Sequence, residues 1–157
     1  MKKIIFTLTS GLLLLSACRS GKIKDPEYRD IRDVKLLKPG ILESTAAVDI
    51  VYYNPNNFSV QLKDAHGDLY IDNSYVGHFV VEDNVQVDRK SEFVILAIFK
   101  LDMIGIVKNQ QDIWKKKEAL IKVDGTARVK KAGVAMNVPI SYEGVQNIER
   151  FRTLVSK

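Results

Sequence analysis

At 157 residues, with 46% hydrophobic and 27% charged residues, the chain has the size and balance of one globular domain and lies outside the range of disordered proteins. The formal charge is +5; setting aside Lys2 and Lys3, which belong to a leader, leaves +3 spread along the chain. The densest basic runs, Lys115–Lys117 and Lys130–Lys131, have no interleaved aromatics and are expected on solvated surface, so a nucleic-acid-binding face is not expected.

The first eighteen residues read MKKIIFTLTSGLLLLSAC. A basic start precedes a largely apolar stretch, Ile4–Leu15, which at twelve residues is far short of the roughly 20 that span a bilayer. It has the length of a signal-peptide core. Leu15-Ser16-Ala17-Cys18 then resembles the lipobox of bacterial lipoproteins. That resemblance implies cleavage after Ala17 and a lipid on the Cys18 thiol, the only cysteine in the chain. Two or more acyl chains anchor stably, at about 0.8 kcal/mol for each buried CH₂. Residues 1–17 are therefore read as a lipoprotein signal peptide, 18–29 as a polar tether, and 30–157 as the folded domain. Arg19, rather than Asp, follows the cysteine. This absence of an inner-membrane retention signal leans toward the outer membrane, facing the periplasm.

Asp30–Leu37 is a short first strand, ended by Lys38-Pro39-Gly40. Thr45–Tyr53 is a second strand, rich in β-branched and aromatic residues. Asn54-Pro55-Asn56-Asn57 stops it. Pro55 cannot donate to a ladder, Asn54 can cap a turn, and Asn57 tolerates left-handed backbone. The same four residues offer no nucleophile, acid or base, so a turn is expected there rather than a catalytic site. Phe58–Lys63 alternates as a half-buried strand, Asp64–Gly67 is expected to turn, and Asp68–Asp72 continues. Asn73-Ser74 forms a hairpin into Tyr75–Val81. After Val85–Val87 and a turn at Asp88–Lys90, Ser91–Leu101 is apolar on both faces, which predicts a central strand covered on both sides.

The period then changes. Asp102 can cap a helix whose stripe is Met103, Ile106, Val107, Gln110, Ile113 and Trp114, with Lys115–Lys117 in its last turn. This stripe is expected to pack on the sheet. Ile121–Val129 alternates as a strand with one wet face, Val134–Ile140 follows, and Ser141–Lys157 is amphipathic and ambiguous. About 7–8 strands and one helix predict a mainly β protein, a β-sandwich.

The two histidines, His66 in the expected turn and His78 in a strand, lack metal-ligand spacing. No phosphate loop, dinucleotide fingerprint or nucleophile elbow is present. No catalytic residue, cofactor or metal is expected, and the protein is read as not an enzyme.

Ala46–Tyr53 running into Asn54-Pro55-Asn56 resembles the opening of the group 2 late embryogenesis abundant domain, also called the water stress and hypersensitive response domain. Asp68–Asn73 with Val76-Gly77, the strand Phe93–Leu101, the amphipathic helix, Val123–Thr126 and Val138-Pro139-Ile140 follow in that family's order. The likeness covers about Leu36 to Tyr142; the turn at Ala65–Gly67 and the basic helix end depart from the pattern. It implies an immunoglobulin- or fibronectin-III-like sandwich and a link to desiccation, salt or cold stress. Three functions follow as expectations. The first is a lipid-anchored protector of envelope proteins or lipid surfaces. The second is a partner-binding module of an envelope assembly or transport complex. The third is a carrier of a small apolar ligand between the helix and the sheet.

Overall fold

The computed structural model describes residues 23–109 and 115–149. Within them the chain forms β1 (Glu27–Lys38), β2 (Glu43–Tyr53), β3 (Val60–Ile71), β4 (Ser74–Val81), β5 (Val85–Val87), β6 (Glu92–Asp102), α1 (Met103–Asn109), β7 (Glu118–Lys131) and β8 (Val134–Asn147). All pairings are antiparallel, in the path β1-β2-β6-β4-β3-β7-β8, with β5 taking over from β4 along β3. The fold is a mainly β sandwich of eight strands with one short helix.

The path folds back on itself. Leu62, Ala65, Phe79, Val81, Val87, Phe93 and Ala97 form the buried cluster, and Ile50 and Tyr52 of β2 pack on it together with Ile140 of β8. Strands β2 and β8 lie near opposite ends of the path, so a shared core requires two wings facing each other, β1-β2-β6 against β3-β7-β8. The wings join where β4 pairs with β6, from Gly77↔Leu101 to Val80↔Ile98.

Several elements differ from the sequence reading. Asp64–Gly67 does not turn; β3 runs straight through it, because His66 and Gly67 are paired on both sides, with Val80 and Phe79 of β4 and with Thr126 and Gly125 of β7. Gly67 serves close approach instead. A Cβ there would collide with the Asp124 carbonyl and come within 2.8 Å of the Phe79 ring; one on Gly125 would strike the His66 carbonyl. His66 is exposed, as expected, but from within a strand. The two-residue hairpin turn is Asp72-Asn73, both left-handed at φ 48° and 65°, one position earlier than expected. Strand β6 is internal but not covered on both sides: its inner residues Phe93 and Ala97 are buried, while Leu96 on the other face is 40% exposed. Antiparallel sheets tolerate one wet face, and an apolar run alone does not prove two covered ones. Ser141–Asn147 simply extends β8. Strand β1 begins at Glu27, so its first three residues take in the end of the expected tether.

The Asp72–Asn73 turn is held from below. The Asp72 carboxylate accepts from the Leu120 N–H at 3.0 Å and from Lys116 Nζ at 2.6 Å. The Lys116 hydrogen bond, then that of Leu120, hold its pKa below the usual Asp value. A depressed folded-state pKa adds stability above the unfolded value, about 3.9, and that stability is lost as pH falls through the folded value. Urea unfolding should therefore show a larger stability loss between about pH 6 and pH 3 for the unmodified chain than for Asp72→Asn, which keeps the left-handed turn but cannot titrate. Gly67→Ala should cost about 1–3 kcal/mol by overpacking in the same assay.

Candidate functional site

Two features at opposite ends of the sandwich are candidates for function. The first is the junction where the chain enters the domain. Asn54 and Asn56 are 3% and 9% exposed, and burial of such amides is costly unless each polar atom is paired. Here they are paired. Asn54 Nδ2 donates to the carbonyls of Phe58 (3.0 Å) and Asp88 (2.9 Å). Its Oδ1 accepts from the Asn56 N–H at 3.0 Å and from Asn56 Nδ2 at 2.9 Å. Asn56 Nδ2 also donates to the Lys24 carbonyl at 2.8 Å, and its Oδ1 accepts the Lys24 N–H at 2.9 Å. Lys90, left-handed at φ 49°, closes the cluster by donating from Nζ to the Pro55 carbonyl at 2.7 Å.

The turn reading of Asn-Pro-Asn-Asn therefore holds, with a different division of labour. Asn57 is exposed and does not adopt positive φ; Asn56 is the buried amide that clamps the incoming chain at Lys24. Three amides around a proline were the visible signal. The Lys24 partner, 32 residues away, had none. The clamp fixes the position at which the preceding residues meet the domain. Cys18 itself lies outside the described residues.

The second feature is an apolar tip at the far end, about 40 Å along β1 at about 3.3 Å per residue. Ile41 and Leu42 are 91% and 68% exposed, beside Leu37 at 51%. Their loop is fixed rather than loose: the Gly40 N–H donates to Ser44 Oγ, which returns a bond to the Gly40 carbonyl, both at 3.1 Å, and the Met103 N–H donates to the Leu42 carbonyl at 3.0 Å. Helix α1 abuts this loop. Asp102 caps it as expected, accepting from the Gly105 N–H at 2.9 Å. Ile106 is buried, but Val107 is 59% exposed, so it does not belong to the packed stripe. Gln110, Ile113 and Trp114 lie outside the described residues. Lys115–Lys117 precede β7 and are not part of the described helix; the Lys117 carbonyl accepts the Ile148 N–H.

Among the described residues no cluster of three His, Cys, Asp or Glu could hold a metal, and no helix is long and apolar enough to cross a membrane. His66 and His78 sit on β3 and β4 in register positions next to each other's neighbours, Asp68↔His78 and His66↔Val80, and form no shared site.

A mainly β sandwich with a buried amide clamp is the class of protein defined so far. The profile of the late embryogenesis abundant protein family matches residues 49–144, and the chain belongs to that family. The fold is similar to the solution structure of a protein from Arabidopsis thaliana, with a TM-score of 0.55 and 12% identity over 82% of this chain and 87% of that one. A crystal structure of a protein from Archaeoglobus fulgidus aligns with a TM-score of 0.49 and 9% identity, over 77% and 97% of the two chains. No match is found among curated proteins.

Asn54→Ala removes both donors to the Phe58 and Asp88 carbonyls and the acceptor of Asn56. Unfolding in urea should show a loss of about 3 kcal/mol, against less than about 0.5 kcal/mol for Asn57→Ala.

Proposed function

We propose that this protein is a lipid-anchored, non-enzymatic component of the cell envelope that protects envelope proteins or lipid surfaces when water is lost, held on the outer membrane and facing the periplasm. The observation that carries the reading is the joining, in one chain, of the Leu15–Cys18 tetrapeptide to a late embryogenesis abundant domain. The Lys24 clamp supports it mechanically, since a domain fixed to its own tether stays oriented to whatever holds Cys18. Protection of this kind needs no reacting group; it needs a stable fold that remains at the surface it shields.

A second reading, a partner-binding module, is favoured by β8, whose far edge pairs with no other described strand. An uncovered strand edge offers backbone hydrogen bonds to another chain.

Two measurements test the first reading. Cys18→Ser should move the protein out of the membrane fraction and remove the acyl mass from its N-terminal peptide. A labile enzyme dried beside the protein should retain more activity than one dried beside an unrelated β-sandwich of similar charge. Membrane retention of the variant would overturn the anchor. Protection no better than the control would overturn the shield and leave the partner-binding reading in place.

A further inference from the structure

The end of the sandwich away from the amide clamp carries the most exposed large apolar side chain among the described residues, Ile41 at 91%, with Leu42 at 68% and Leu37 at 51%. Helix α1 starts against this loop, where the Met103 N–H meets the Leu42 carbonyl. It extends the apolar surface with Ile104 at 42% and Val107 at 59%, three residues apart and so on one side of the helix. Single exposed aliphatic residues are ordinary on a protein surface, but a group gathered at one tip marks a contact.

The backbone of the tip is prepared for a setting without water. Pro39 has no N–H to leave unpaired. The Gly40 N–H and carbonyl are both bonded to Ser44 Oγ at 3.1 Å, and the Leu42 carbonyl accepts from Met103 at 3.0 Å. Gly40 lets the loop close this tightly, since a Cβ there would collide with the Glu43 carbonyl. A loop that stays in water needs no such pairing, because water satisfies its peptide groups. A loop that enters a bilayer must bring its partners with it.

The flanking charges fit the same setting. Lys38 stands directly before Pro39 and Lys108 directly after Val107, and both are exposed. Lysine stems lie along hydrocarbon while their ammonium groups stay at headgroup level. The carboxylates of this region, Glu43 and Asp102, are opposite each other in register at the strand end, and Asp102 is engaged by the Gly105 N–H.

We propose that this tip docks on a phospholipid bilayer, with Leu37, Ile41 and Leu42 entering the boundary between headgroups and acyl chains and Lys38 and Lys108 at the phosphates. A bilayer fits better than a protein partner because the apolar side chains project outward on a fixed backbone, and a fluid surface moulds to them without a matching pocket. The inference rests on the shielding reading and deepens it. The tip lies about 40 Å from the clamp along β1. With Cys18 held in the same bilayer, contact at both ends lays β1 along the membrane and spreads the domain over it.

The test uses the full chain carrying Cys18→Ser, so that the only thiol is one placed by design. Leu42→Cys carries an environment-sensitive fluorophore, and Asn57→Cys, an exposed site at the clamp end, is the control. Each is mixed with vesicles of phosphatidylethanolamine and phosphatidylglycerol, with and without lipid brominated on its acyl chains. The label at 42 should shift its emission to the blue and be quenched by brominated lipid roughly fivefold more than the label at 57. Leu37→Ser with Ile41→Ser should remove most of that quenching and leave urea unfolding unchanged, since both side chains are exposed. Lys38→Glu with Lys108→Glu should reduce it about twofold. No quenching at 42, equal quenching at the two sites, or quenching that survives either pair of substitutions overturns the proposal. So does blue emission from 42 before vesicles are added, because a second copy or the chain itself then covers the tip. Quenching at 42 without protection of a dried enzyme would remove the shield and leave the docking site; protection without quenching would do the reverse.

Discussion

The structure depends on one constraint: a single antiparallel path must bring its own inner faces together. The two wings share a core, but they are continuous through a short ladder between β4 and β6, ending at Val80↔Ile98. Everything near that junction is adapted to close packing. The Phe79 and Phe99 rings meet at 5.8 Å, tilted by 39°, and Phe79 lies over Gly67, where a side chain would have no room. Gly67 in turn faces Gly125, so β3 and β7 approach more closely than two strands with Cβ atoms could. An aromatic ring covering a glycine pair replaces the apolar surface that the glycines lack. The close approach is made with glycine and covered with phenylalanine.

The ends of the sandwich obey a different rule. Buried polar groups there must be paired, and the amide cluster around Asn54 and Asn56 pairs them with backbone groups from three separate segments, at Lys24, Phe58 and Asp88. Such a cluster adds specificity to the fold, because side-chain amides satisfy donors and acceptors only in one arrangement. It also ties the start of the domain to the turn after β2. At the opposite end the Ile41–Leu42 loop is equally fixed in its backbone, yet its side chains face solvent. A shield that works through hydrophilic surface alone has no need of such a tip.

Family membership and fold narrow the chemistry without naming a client. The late embryogenesis abundant domain occupies residues 49–144, and the sandwich it forms is a scaffold on which function rests in surfaces and edges. The two end strands of the path differ: β1 is charged and bulged, devices that resist pairing with a further strand, and β8 is long and regular.

Much of this was legible in the residues. Alternation in Thr45–Tyr53 and Ile121–Val129 located β2 and β7, the change of period after Leu101 located α1 behind its Asp102 cap, and Asn-Pro-Asn-Asn declared a turn. These signals are local, set by strand and helix periods and by turn chemistry. The sequence pattern failed where the deciding neighbour was distant. Asp64–Gly67 has turn composition, but β4 and β7 pair it on both sides, and Gly67 answers a close approach by Asp124 and Gly125. Asn56 rather than Asn57 is the working amide, because Lys24 arrives from 32 residues away. Strand β6 has an apolar outer face that stays partly wet, with Leu96 40% exposed, because no described element covers it. The sequence by itself determined most of the elements and the family likeness. Only the tertiary structure decided which strands lie at the ends of the described path, which amides are buried and where the chain is clamped, because those depend on long-range pairing that no local period encodes.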